Sequence, residues 1–256
     1  MGRTLLLLYS TACYVGFFAT FVYAIGFVGC VGVPKCVDTG VAVSTSHAIF
    51  VDMLLLGAFA VQHSIMARRW FKRWWTRIIP QAAERSTYVI IATLLLALLM
   101  WQWQPIPADV WNIQGADTRV AFDALFALGW VVILSGTFMI DHFDLFGLRQ
   151  GWLAFRRREY THPPFTTAGF YRYTRNPLML GFIIAFWATP TMTVGHLLFA
   201  AASTAYILVG VMLEEHDHAY WLGARYLAYK RRTSMIIPMP PRAAPEGQVA
   251  AEDATE

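Results

Sequence analysis

Two clusters of charged and aromatic residues stand out in an otherwise apolar chain. The first is Arg175-Asn176-Pro177-Leu178, followed by Gly181. The second opens on Glu214-Glu215, runs through Gly223, Tyr226 and Tyr229, and closes on Ile237-Pro238. An apolar hairpin separates them, from about 178 to 188 and about 194 to 213, broken at Thr189-Pro190-Thr191. Ionisable groups at membrane depth are costly and commonly mark a site. Arg175 can clasp a carboxylate through two parallel hydrogen bonds, and Asn176 can both donate and accept. Glu214 or Glu215 can receive a cation or a diol. Tyr226 and Tyr229, three residues apart on a helix, present one aromatic face.

A second group of residues can move a proton. His142 is flanked by Asp141 and Asp144, carboxylates available to orient it as a general base. His63, beside Gln62 near one end of an apolar run, is the other candidate. His216-Asp217-His218 is dense in metal-ligating types, but helix positions two apart point in different directions, so no metal site is expected. Each feature also has a plainer reading. Arg175 can be a topology-setting cation, Glu214-Glu215 a helix end at water, and the tyrosines an interfacial belt. The pairing of two charged motifs around one hairpin favours a site.

The elements that must hold these residues follow from composition. Of 256 residues, 57% are hydrophobic and 14% charged, against about 25% charged in a soluble domain. Apolar runs near the ~20 residues needed to span a bilayer lie at about 4–31, 44–67, 86–103 and 120–140. The first outlasts the 7–15-residue apolar core of a secretory signal and reads as a retained span. Five basic residues between Arg68 and Arg77, interleaved with tryptophans, place that loop in the cytoplasm, as do Arg149 and Arg156 to Arg158. The segment from Gln104 to Thr118 holds Asp109 and Asp117 but no Lys or Arg, as an outer loop should. The net charge of +4 sits in loops beside spans, where it meets anionic lipid and not nucleic acid.

The expected architecture is an all-α polytopic bundle of four spans plus a C-terminal helical hairpin, one membrane-embedded domain over residues 1–240. The hairpin's first arm is short, so it is either tilted or partly re-entrant. Residues 241–256 form an acidic tail with nothing to bury and are expected to be disordered. Asp52, in the second span, reads as a packing or capping partner. Cys30 and Cys36 can close a short loop on an oxidising side or remain two apolar thiols. Oligomeric state is not legible.

The two motifs, with their spacing, resemble those of the isoprenylcysteine carboxyl methyltransferases. Arg175-Asn176-Pro177-x-x-x-Gly181 is similar to that family's Arg-His-Pro motif, with Asn176 in place of the usual His. Glu214-Glu215, Gly223, Tyr226, Tyr229 and Pro238 match its carboxy-terminal pattern, with His218 in place of Leu. Three further stretches, Gln62-His63-Ser64-x-Met66-Ala67-Arg68, Glu84-Arg85-Ser86-x-Tyr88 and Asp141 to Gln150, resemble the bacterial branch containing the membrane-bound methanethiol S-methyltransferases, which shades into NnrU-like proteins. The resemblance implies an enzyme dependent on S-adenosyl-L-methionine that turns methanethiol, a small volatile thiol, into dimethyl sulfide. It implies a cofactor pocket on the cytoplasmic side within about 141–238, built from Arg175, Asn176, Pro177, Leu178, Gly181, Glu214, Glu215, Tyr226 and Tyr229. His142, Asp144 and His63 are the candidates for ionising the thiol. The nucleophile is a thiolate, and forming one at pH 7 from a thiol weaker than cysteine costs at least about 2 kcal/mol. The alternatives are a methyltransferase of the same fold acting on a lipid or isoprenoid-linked group, and a non-enzymatic NnrU-like accessory protein.

Overall fold

The chain alternates between apolar helices and short polar connections, and a computed structural model describes residues 2–41 and 43–242. Helix α1 (Arg3–Gly29) is followed by α2 (Thr45–Ala67), the short α3 (Arg69–Trp75), α4 (Gln81–Gln102) and strand β1 (Asp109–Asn112). Then come α5 (Ala116–Met139), α6 (His142–Leu145), α7 (Leu148–Phe155), α8 (Pro177–Trp187), β2 (Thr191–Thr193), α9 (Val194–Leu222) and α10 (Ala224–Arg232). Among the described residues, α1, α2, α4, α5 and α9 are long and apolar enough to cross a membrane. The protein is an all-α polytopic membrane protein, as its apolar runs predict. The expected tail lies, from 243 onward, outside the described residues.

Successive crossings gather α3, α6, α7 and α10 at one end, here the basic end, and the β1–β2 ribbon at the other. Phe27, Leu99, Trp103, Ile133, Phe186, Phe199 and Val211 form the buried core between them. The most extensive helix pairing is α5 with α8, and glycines make it possible. A Cβ on Gly181 would lie 2.7 Å from both the Gly129 carbonyl oxygen and Ile133 Cγ1. In a membrane, where lipid competes equally for apolar side chains, such close backbone approach is what holds helices together. Gly181 therefore seats α8 on α5.

Helix α8 begins with Pro177 at its first turn, where the missing N–H costs nothing. Its 11 residues span about 16 Å at 1.5 Å per residue, roughly half of a ~30 Å hydrocarbon core. The short arm is completed by the ribbon. Asp109, Trp111 and Asn112 pair antiparallel with Thr193, Met192 and Thr191. Ile113 N donates to Pro190 O at 2.9 Å, Val194 N to Ala108 O at 2.8 Å, and Gly195 N to Ile106 O at 3.1 Å. Non-helical backbone is tolerated at membrane depth only when its polar groups are met inside the protein. The segment from 106 to 113 meets those of 190 to 195.

Beyond the ribbon, Cys30 and Cys36 form a disulfide, which selects one of the two readings of these residues. Asp38, just past it, accepts from Thr193 Oγ1 at 2.5 Å. Asp52 is fully buried and accepts from Gln104 N at 2.8 Å, tying α2 to the end of α4 as a capping partner does.

Candidate functional site

At the basic end the first motif is stitched to the segment that follows α10. Arg175 Nε meets Glu215 Oε1 at 2.6 Å, and Lys230 Nζ meets Glu215 Oε2 at 2.9 Å. Arg175 Nη1 also donates to the carbonyls of Lys230 and Thr233, and its backbone N–H to Ser234 O at 2.9 Å. Asn176 Nδ2 and Thr174 Oγ1 both donate to Met235 O, at 3.0 and 3.2 Å. Gly223, at φ 56°, supplies the turn that separates α9 from α10 and lets α10 fold back. The guanidinium and carboxylate of the Arg175–Glu215 pair are 7% and 6% exposed. Arg175, proposed from sequence as a clasp for a ligand carboxylate, is thus largely engaged by the protein itself, and so is Glu215.

The aromatic residues form a nest around Phe165, which sequence reasoning missed. Its ring centroid is 6.0 Å from Tyr226, 5.5 Å from Tyr229 and 6.4 Å from His218. Tyr226 is buried. Burial, with the Glu215 charge adding to it and Arg175 opposing, pushes its pKa up to about 12. Tyr229 donates to Tyr171 O at 2.5 Å, and burial holds both phenols above their ordinary values. All three hydroxyls stay protonated at neutral pH, able to donate a hydrogen bond.

Glu214 differs from its neighbour. It is exposed, makes no hydrogen bond or ion pair among the described residues, and its charge reaches Tyr171, Tyr226 and Tyr88. On the other flank of Arg175, a cleft of about 190 Å³ is lined by Lys230, Thr233, Ser234 and Arg242. A free carboxylate, an aromatic nest and a cationic cleft are a donor set that suits a zwitterion bearing a flat ring. Leu178 and Gly181 point elsewhere: Leu178 packs against Gly136 and Gly181 against Gly129, both on α5. Pro177 is buried at the helix start.

The two histidines differ sharply. His142 is 3% exposed and stacks on Phe138 at 4.3 Å between centroids. Thr137 Oγ1 donates to Leu134 O at 2.6 Å, so towards His142 Nδ1, 2.8 Å away, it can only accept. Nδ1 then carries the hydrogen, and Nε2 accepts from the Tyr14 hydroxyl at 2.8 Å. Burial lowers the pKa of this ring, with Asp141 opposing. Two hydroxyls orient His142, and the expected carboxylates do not. Asp141 caps α6 by accepting from Asp144 N, while Asp144 is held by Arg149 at 2.8 Å and Tyr160 at 3.1 Å.

Among the described residues the His63 ring hydrogen-bonds only the Tyr88 hydroxyl, and it stacks on Phe59. The Arg85 guanidinium lies over the Tyr88 ring at 4.9 Å, and its Nε donates to Leu145 O at 2.6 Å. Ser86 donates to Ser10 and to Gly147 O, where an added Cβ on Gly147 would strike Ser86. The stretches around His63, Arg85 and Asp141 are therefore one interlocked unit. Helix α2 is joined to α9 by Ser64–Tyr206 at 3.1 Å and Arg68–Asp217 at 2.8 Å.

The fold defines a polytopic helical membrane protein, with the candidate site at its basic end. Over 242 residues the chain is 52% identical to methanethiol S-methyltransferase of Mycobacterium tuberculosis, covering 94% of this chain and 99% of that protein. It is 50% identical over 238 residues to methanethiol S-methyltransferase of Crocosphaera subtropica, covering 93% of each. A more distant likeness, 29% over 180 residues, links it to a Nurim homolog of Drosophila pseudoobscura pseudoobscura, with 67% of this chain and 70% of that one covered. No family model and no solved structure matches. The chain belongs to the methanethiol S-methyltransferase family.

Proposed function

We propose that the protein methylates methanethiol to dimethyl sulfide with S-adenosyl-L-methionine as methyl donor, at the basic end of the bundle. The observation that carries this reading is identity of about half over nearly the full length of relatives bearing that name. The residues suit the donor. Glu214 is free to take its ammonium or ribose diol, the cleft beside Lys230 and Arg242 its carboxylate, and the Phe165–Tyr226–Tyr229 nest its adenine. Bound there, the cofactor supplies a methyl group already activated on a sulfonium. The chain's own part is to hold thiol sulfur and methyl in line and to exclude water from the thiolate. A membrane setting helps, because a neutral thiol partitions into lipid.

Headspace chromatography of cells expressing the protein and fed methanethiol tests the reading. Dimethyl sulfide above the vector control is expected. Cofactor binding without any dimethyl sulfide would point to a lipid-linked acceptor, and neither one to an accessory role.

We also propose that the basic end faces the cytoplasm. Two features support this: the cations of α3 and α10 obey the positive-inside bias, and the Cys30–Cys36 disulfide at the far end suits an oxidising outer side. In a background with Cys13, Cys30 and Cys36 replaced, Arg73→Cys should resist an impermeant maleimide in intact cells and react after lysis. Labelling in intact cells would reverse the orientation.

A further inference from the structure

Because α8 is short, the chain turns aside at its end, and a cavity of about 360 Å³ opens there. Its walls include Val28 and Val31 from the end of α1, Asp123 and Phe126 from α5, and Ala188 and Pro190 from beyond α8. The volume falls within the ~300–1,000 Å³ typical of small-molecule sites. Two lining side chains are polar. Thr189 gives its hydroxyl to Thr191 O at 2.7 Å. Asp123 is exposed and has no hydrogen bond or ion pair among the described residues.

That carboxylate stands apart from the others at the ribbon end. Asp38 accepts from Thr193, Asp52 from Gln104 N and Asp109 from Asn112. Asp117 lies in the first turn of α5, where the helix dipole favours a negative charge. Asp123 is nearly two turns further on, beyond the reach of that dipole. Arg119, four residues before it and on the same face of α5, gives Nη1 to Ile113 O at 2.9 Å instead.

We infer that this cavity binds a lipophilic ammonium ion, one whose charge is joined directly to an apolar body. A carboxylate without a partner, set over apolar walls, calls for a cation with an apolar remainder. Helix α5 runs inward from the ribbon end and α1 runs outward to it. Asp123 and Val31 therefore lie at the mouth, with Phe126 and Val28 deeper. The ligand would sit with its ammonium at Asp123 and its apolar part beside Phe126, an aromatic ring that can itself attract a cation. Among the described residues the lining holds no Lys or Arg, so the phosphate of a zwitterionic phospholipid would meet no partner there. The cavity is at the opposite end from Arg175 and Glu215, and the inference does not rest on the proposed methyl transfer.

The test uses para-fluorophenylbutylammonium, followed by fluorine NMR, with the protein in phosphatidylglycerol nanodiscs and protein-free discs as the blank. Saturable binding to the wild type is expected. Asp123→Asn should weaken it roughly tenfold or more, the scale of a lost hydrogen bond to a charged group. Asp123→Glu, which keeps the charge, should bind within a fewfold of wild type. Val31→Trp, which fills the mouth and leaves the carboxylate in place, should also weaken binding. The neutral alcohol of the same skeleton should not distinguish wild type from Asp123→Asn. No saturable binding, equal ammonium affinity in wild type and Asp123→Asn, or an equal loss for the alcohol overturns the inference. Probe binding that disappears in phosphatidylethanolamine nanodiscs would give the cavity to a phospholipid headgroup and overturn it as well.

Discussion

Glu215→Ala is expected to destabilise the protein by about 3–5 kcal/mol, the usual cost of leaving a buried charge without its partner. Arg175 would keep its two carbonyl contacts but lose the carboxylate 2.6 Å away, in a place where water reaches little of the guanidinium. Arg175→Ala should cost as much, because Glu215 would retain only Lys230, whose side chain is 44% exposed. Removing both charges as Arg175→Met with Glu215→Leu should cost clearly less than the two single losses combined, since pairs in contact do not add. Arg175→Lys should not rescue, because a point charge cannot reach the carboxylate and two carbonyls at once. Thermal unfolding in detergent measures all four. Wild-type melting of Glu215→Ala would show that the pair does not hold the motif to the segment after α10.

Glu214→Gln should have the opposite signature. The side chain is exposed and has no partner among the described residues, so melting should stay where it is. Affinity for S-adenosyl-L-methionine should fall roughly ten- to a hundredfold, equivalent to about 1.4–2.8 kcal/mol, within the range for a hydrogen bond to a charged group. Calorimetry with the cofactor and with its demethylated product separates this from any effect on the thiol. Unchanged affinity would move the cation site away from Glu214. Of two adjacent glutamates, one is assigned to stability and the other to binding, and the paired variants decide that division.

That division could not be read in one dimension. The motifs Arg175-Asn176-Pro177 and Glu214-Glu215 were visible as charges flanking an apolar hairpin, but not that Arg175 and Glu215 consume each other. Nothing in a glutamate pair says which one faces inward until the helix phase is known. The partners that orient His142 were hidden for a related reason. Its nearest carboxylates in sequence turn to α6 and Arg149, while Tyr14, one of the two hydroxyls that orient it, lies 128 residues away. The spans were legible because an apolar run of about 20 residues is itself a one-dimensional signal. The ribbon was not, because Asp109–Asn112 is short and polar and becomes a strand only through its partner. Gly181, read as part of a cofactor motif, owes its place to a backbone contact with Gly129.

The ribbon also bears on how the chain enters the membrane. An 11-residue helix is too short to be retained alone as a spanning segment, and the backbone following it would stand unpaired in hydrocarbon. Helix α8 therefore has to be inserted together with α9, as one unit. Even then the backbone of 190 to 195 is paired along the segment from 106 to 113. The amino-terminal helices must already be threaded, with that segment waiting at the far surface, before the last hairpin can settle. Assembly acquires an order from a strand of three residues.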